Sequence, residues 1–188
     1  MYRSFFKRYF DCAVAAIALA LFSPLMAVVA ILIKLEDGGD ILFRQIRVGK
    51  NGEEFKCFKF RSMAMHAENL PSGEAANMPI TRIGRLIRRT SIDELPQLFS
   101  VLRGDMSIVG PRPPVPSQVG LCSLRQSNGS IKCLPGMTGL AQINGYNGMP
   151  DLEKAEFDGE YARKMSLATD LKIILRTFSY FFREPPVY

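Results

Sequence analysis

AVAAIALALFSPLMAVVAILI, Ala13 to Ile33, runs 21 residues without a charge, and Cys12 precedes it directly. It is apolar on every side, so it is not an amphipathic surface helix. As a straight helix it reaches about 31 Å, the hydrocarbon thickness of a bilayer. Ser23-Pro24 interrupts its middle. A mid-helix proline removes a backbone donor and costs roughly 3 kcal/mol in a soluble helix. Membrane helices tolerate one because serine hydroxyls bond the freed carbonyls. A kinked spanning helix and a re-entrant hairpin both fit the stretch itself. The flanks separate them: Arg3, Lys7 and Arg8 lie before it, and Lys34, Arg44, Arg47, Lys50, Lys56 and Lys59 after it. Positive flanks favour the cytoplasmic side, so both ends belong on one face. The expectation is a re-entrant hairpin bent at Ser23-Pro24, with Lys7 and Arg8 at the membrane entry. The apolar length and the lack of a small-residue cleavage site disfavour a signal peptide.

Outward from this segment, Tyr2–Phe10 mixes aromatic and basic residues and suits the head-group layer. Leu171–Phe182 is apolar and aromatic with Lys172 and Arg176 inserted; a helix on the membrane plane and a core helix both fit it. The whole chain has 188 residues, enough for one domain with a core, and a net charge of +6. That charge favours anionic partners such as membrane lipids or nucleotides. No run of Lys and Arg interleaved with aromatics points to nucleic acid. Cys12, Cys57, Cys122 and Cys133 form no CxxC pair, which fits free thiols in a reducing cytoplasm. His66 is the sole histidine, so a Ser-His-Asp or His-rich metal site has little support; a loop position is expected for it.

The remainder reads as α+β. Ile41–Val48 and Glu54–Met63 are rich in β-formers around Gly49-Lys50-Asn51-Gly52, which predicts a β-hairpin. Ala64–Pro79 lacks periodicity and predicts a mobile loop. Thr81 caps a short predicted helix through Arg89, with Arg82, Arg85, Arg88 and Arg89 as a basic face. Ser91 and Glu94 fit a capping box opening a helix to about Arg103. Pro96, in its first turn, is expected to leave a carbonyl free near the Asp93-Glu94 pair. Carboxylates at a helix start are favoured by the dipole, and carboxylates beside four arginines also suit metal-bridged phosphoryl chemistry. Spacing leaves both open.

Gly110-Pro111-Arg112-Pro113-Pro114 restricts the backbone of Arg112 before any ligand arrives, which makes its guanidinium a good phosphate clamp. Pro135–Gly145, containing Gln142, is a glycine-punctuated loop or short strand without a nucleotide-binding fingerprint.

In order along the chain, Lys7-Arg8 with Asp11, Ser23-Pro24, Phe43–Gly49, Phe58-Lys59-Phe60-Arg61-Ser62-Met63, Asp93-Glu94-Leu95-Pro96-Gln97-Leu98, Gly104–Ser107, Gly110-Pro111-Arg112-Pro113, Pro135–Leu140 and Asp170-Leu171-Lys172 resemble the bacterial sugar transferases known as monotopic phosphoglycosyl transferases. The likeness is greatest to their small, PglC-like form. It implies a re-entrant helix broken at Ser23-Pro24, a membrane anchor over residues 1–36 and a cytoplasmic, interfacial catalytic part over 37–188. It implies Asp93 as the nucleophile toward the β-phosphate of a UDP-sugar, with UMP leaving and a polyprenyl phosphate (undecaprenyl phosphate) then accepting the sugar phosphate. Mg²⁺ is the implied cofactor, held near Asp93 and Glu94. Arg112 matches the family's phosphate-binding arginine, and Arg88, Pro111, Pro113, Gln142, Lys59 and Arg61 complete the candidate substrate-binding set. The implied location is the cytoplasmic face of the bacterial inner membrane. Lacking the extra N-terminal spans of larger forms, the chain reads as a minimal catalytic version. Leu134 and Tyr146 stand where many relatives carry arginine; N-acetylated sugars are common donors of the small form. Direct transfer with Asp93 as a base, and a non-catalytic membrane scaffold, are the alternative readings.

Overall fold

The computed structural model describes residues 2–63, 80–145 and 148–180. The expected loop at 64–79, His66 within it, and Tyr146 lie outside the described residues.

After a π-helical turn at Tyr2–Phe6, the apolar stretch forms part of one continuous helix, α1 (Lys7–Asp37). It is the one helix among the described residues long and apolar enough to cross a membrane. Pro24 lies inside it. The Ala20 carbonyl, which a proline four residues on cannot bond, accepts instead from Ser23 Oγ at 3.1 Å. Gly38 ends the helix at φ 73°, a left-handed cap open to glycine, donating to Lys34 O at 3.0 Å. Burial divides α1 in three. Lys7, Asp11 and Ala15 are buried near its start and Val29 and Ile33 near its end, while every residue from Ala20 to Leu25 is exposed.

The predicted hairpin forms as β1 (Leu42–Val48) antiparallel to β2 (Glu54–Phe60), with Leu42 opposite Phe60 and Val48 opposite Glu54. Alternation places Gln45, Arg47, Cys57 and Lys59 on one face and Ile46, Phe58 and Phe60 on the other. Thr81 caps α2 (Arg82–Arg89) as expected, its side chain accepting from Gly84 N at 2.8 Å. A Cβ on Gly84 would sit 2.0 Å from Ser62 O, so α2 packs directly on the chain leaving β2.

The capping box does not form. Ser91 takes a left-handed φ of 53° and makes no cap bond; a 3₁₀ turn, Ile92–Glu94, follows before α3 (Gln97–Arg103) begins. Glu94 is drawn to cations instead, and the Ile92 carbonyl, expected to be free, accepts from Leu95 N at 3.2 Å. The tighter 3₁₀ spacing supplies the bond that Pro96 cannot.

β3 (Ser107–Val109) pairs in parallel with β4 (Gly136–Thr138), with α4 (Val119–Asn128) in the connection. A Cβ on Gly136 would lie 2.1 Å from Gly110 N, which is why both motifs carry glycine where they cross. Three helices finish the chain: α5 (Leu140–Asn144), α6 (Asp151–Lys164) and α7 (Leu167–Tyr180). One core joins Ala15 with Val101, Met106, Val109, Tyr161 and Ile173; a second joins Val29 and Ile33 with Phe60 and Ile87. The C-terminal helix packs on the core through Asp170 and Ile173 of α7, which are buried, while Leu171, Leu175 and Phe178 are exposed. The result is a mixed α+β fold with one long apolar helix near the N-terminus, consistent with membrane association.

Candidate active site

The left-handed Ser91 stops α2, and the following turn carries Asp93 and Glu94 to the Lys59 face of the hairpin. Glu94 Oε1 accepts from Lys59 Nζ at 2.6 Å and from Arg112 Nη2 at 2.9 Å. Burial works against its charge, but Arg112 and Lys59 together outweigh that and hold its pKa down at about 2. Asp93 is its opposite. Burial pushes its pKa up to about 6, with Glu94 adding to the rise and Lys59, Arg88 and Arg112 opposing it. Among the described residues no group donates a hydrogen bond to the Asp93 carboxylate. Adjacent residues in one turn thus differ sharply: Glu94 is a hydrogen-bonded anion, and Asp93 is a buried carboxylate with three cations near it but no hydrogen-bond donor among the described residues.

Arg112 is held through its backbone. The four carbonyls from Pro111 to Pro114 each accept a hydrogen bond: from Gly136 N at 2.9 Å, Arg125 Nη1 at 3.0 Å, Arg47 Nη1 at 3.0 Å and Val48 N at 2.9 Å in turn. Pro111 and Pro113 are buried, so they shape the loop rather than line an open surface. Arg88 donates from Nε to Ser62 Oγ at 2.7 Å and lies close enough to Asp93 to lower its pKa.

The structure therefore brings together Asp93, Glu94, Lys59, Arg88 and Arg112. It places two expected residues elsewhere. Arg61 is buried in an ion pair with Asp37 at the end of α1, and Gln142, buried on α5, donates to Met137 O at 3.1 Å. Ser23 and Pro24 lie in the exposed middle of α1. Lys7 is buried, its Nζ bonding Asp170 Oδ2 at 2.7 Å, and the half-buried Arg8 donates to the carbonyls of Val101 and Leu102.

Sequence reading overlooked the groups behind Arg112. Arg47 is buried enough to lower its pKa, with the nearby Arg112 charge adding to the effect, and its Nη2 bonds Gln45 Oε1 at 2.6 Å. Arg125 pairs with Asp158 at 2.6 Å, both almost fully buried. One signal was available: Arg125 follows Leu121 by one helical turn, a charge on the apolar face.

Among the described residues no three His, Cys, Asp or Glu side chains cluster to make a protein cage for a metal. Two adjacent carboxylates, one without a donor, nevertheless fit Mg²⁺, which binds through one or two carboxylates and takes its other ligands from water and substrate phosphates. A cleft of about 450 Å³ between α5, α6 and α7 contains none of these groups.

A buried carboxylate with flanking guanidinium and ammonium groups, set on a fold with one long apolar helix exposed through its middle, fits a phosphate-handling enzyme and is consistent with membrane association. The bacterial sugar transferase family model matches residues 2–184, and the chain belongs to that family. It is 37% identical to the exopolysaccharide production protein ExoY of Rhizobium meliloti, over 91% of this chain and 83% of that protein. It is 41% identical to a UDP-glucose:undecaprenyl-phosphate glucose-1-phosphate transferase of Caulobacter vibrioides, covering 91% and 67% respectively. Identity is also 41% to an N-acetylgalactosaminephosphotransferase of Aeromonas hydrophila, over 93% of this chain and 43% of the other.

Proposed function

We propose that this enzyme transfers a sugar 1-phosphate from a UDP-sugar to a polyprenyl phosphate, with Asp93 as a covalent nucleophile. An Asp93 oxygen attacks the β-phosphorus, the bond to UMP breaks, and UMP leaves with the electron pair. A phosphate oxygen of the polyprenyl acceptor then attacks the same phosphorus and releases the Asp93 carboxylate. The observation that carries this reading is the contrast within one turn: Asp93 is buried and undonated while Glu94 is tied to Lys59 and Arg112. A mostly buried carboxylate that no protein donor engages is a better nucleophile than a solvated one, and nearby cations offset its repulsion from a diphosphate. Mg²⁺, held by Asp93 and Glu94, would supply further charge neutralisation at the phosphate oxygens. Arg112 and Arg88 would bind and orient the diphosphate.

The re-entrant course of α1 belongs to the same reading. Near its start Arg8 bonds α3 and Asp11 accepts from Ile108 N; near its end Glu36 accepts from Arg82 N and Asp37 pairs with Arg61. A helix crossing the bilayer separates its ends by about 30 Å of hydrocarbon, whereas both ends here bond to the body that carries the site. The exposed Ala20–Leu25 stretch is then the part immersed in lipid, and the exposed apolar residues of α7 rest on the surface. The catalytic part would face the cytoplasm at the inner membrane, where the positive flanks belong.

The test is UMP release from purified enzyme with Mg²⁺ and a panel including UDP-glucose and UDP-N-acetylgalactosamine, without lipid. The expected result is about one equivalent of UMP per enzyme and a phosphosugar mass on the Asp93 peptide. Turnover with polyprenyl phosphate but no adduct would support direct transfer instead, with Asp93 as the base.

A further inference from the structure

The geometry points to Arg125 as a positioning residue: locked by Asp158, it fixes the Arg112 carbonyl from behind and so aims the Arg112 guanidinium at the donor phosphates. This rests on Arg112 being a phosphate-binding group. Arg125 Nε and Nη2 both bond Asp158 Oδ2, at 2.8 and 2.6 Å, and the remaining nitrogen, Nη1, bonds Arg112 O at 3.0 Å. Arg125 is 4% exposed and Asp158 1%, so neither is a ligand contact at the surface.

An ion pair joining α4 to α6 needs only the first two bonds. The third is directed at one carbonyl, and that carbonyl governs the site. Pro113 confines Arg112 to extended backbone. Pro111 O is already taken by Gly136 N and Pro113 O by Arg47 Nη1. The plane of the peptide after Arg112 is the remaining backbone freedom, and Arg125 sets it. Only a planar guanidinium can serve Asp158 and Arg112 together; a lysine ammonium keeps the charge but concentrates its donors at a point.

Inorganic pyrophosphate binding by calorimetry tests this without requiring turnover, using the full chain in nanodiscs. The proteins are the wild type, Arg125→Lys, Arg112→Ala and the double variant. Arg125→Lys should weaken binding about tenfold, the loss expected for one hydrogen bond from a charged donor. It should add nothing once Arg112→Ala is present, because its effect passes through that guanidinium. UMP release should show the same non-additivity in kcat/KM. Equal losses in both backgrounds would mark a purely structural pair and overturn the proposal, as would no loss in either. If Arg112→Ala leaves pyrophosphate binding unchanged, the clamp reading falls and the positioning role with it. Should Arg125→Lys fail to fold, Asp158→Asn keeps the shape, frees Arg125 to turn, and should give the same non-additive pattern.

Discussion

Two clusters in this protein set a pair of carboxylates against cations, and they are built to opposite ends. Asp170, fully buried, accepts from Tyr2 OH at 2.6 Å, Lys7 Nζ at 2.7 Å and Tyr161 OH at 2.8 Å, while its neighbour Asp11 takes Ile108 N at 3.1 Å. That network ties the start of α1 to α6, α7 and β3. At the other cluster, Lys59 and Arg112 keep 22% and 36% of their side chains open to solvent, and Asp93 receives no hydrogen bond among the described residues. Asp170, bonded three times over, fixes elements, although Asp11 Oδ2 beside it is buried without a partner; Asp93, whose oxygens keep access to solvent, retains capacity for a ligand.

The largest separation should come from neutralising one carboxylate in each. Asp93→Asn should lower steady-state UMP release at least about a thousandfold while near-UV circular dichroism stays native, as expected for loss of a covalent nucleophile. Asp170→Asn should do the reverse, costing about 3 kcal/mol in denaturant titrations by removing the nearer of the two carboxylates that pair with buried Lys7, Asp11 remaining at 3.7 Å, while the folded fraction keeps its turnover. Near-normal activity in the first, or unchanged stability in the second, would erase the distinction.

The two carboxylates of the site can be separated by pH. With the Asp93 pKa at about 6 and that of Glu94 at about 2, only Asp93 changes charge between pH 5 and 7. In the metal-free protein one carboxylate should titrate near pH 6 by carbon-13 NMR, and added Mg²⁺ should move that titration, and the acid fall of kcat/KM with it, to lower pH. An Asp93 carboxylate that titrates in the metal-free protein at the ordinary value of about 4 would remove the pH distinction between the pair.

The smallest effect is on stability. Burial raises the folded pKa of Asp93 to about 6, above that of an unfolded aspartate, so its charge costs stability once the pH passes both values. Asp93→Asn should therefore raise stability at pH 7.5 by about 1–3 kcal/mol, and that gain should shrink toward pH 4. Glu94→Gln should destabilise at pH 7.5, because it removes the anion that Lys59 and Arg112 share.

Local chemistry carried much of the reading. The hairpin was legible because its turn residues and β-formers act at short range, and α2 because Thr81 caps it three residues away. Ser91 misled for the same reason: its spacing to Glu94 satisfies a capping box, but Lys59, distant in sequence, competes for that carboxylate and wins. Lys7 and Arg8 were legible as positive charge, yet their partners Asp170 and the Val101 and Leu102 carbonyls were not. Arg61 and Gln142 share motifs with site residues, but in the folded chain Arg61 pairs with Asp37 and Gln142 bonds the Met137 carbonyl.

The sequence by itself determined the uncharged stretch with its central Ser-Pro, the Asp93-Glu94 pair and the proline-flanked Arg112, because composition and nearest-neighbour sterics settle those. Only the tertiary structure decided which of two adjacent carboxylates would be tied down and which left undonated. It alone also recruited Arg125 and Arg47 behind the clamp. Burial and long-range pairing fix both, and neither is encoded within any single segment.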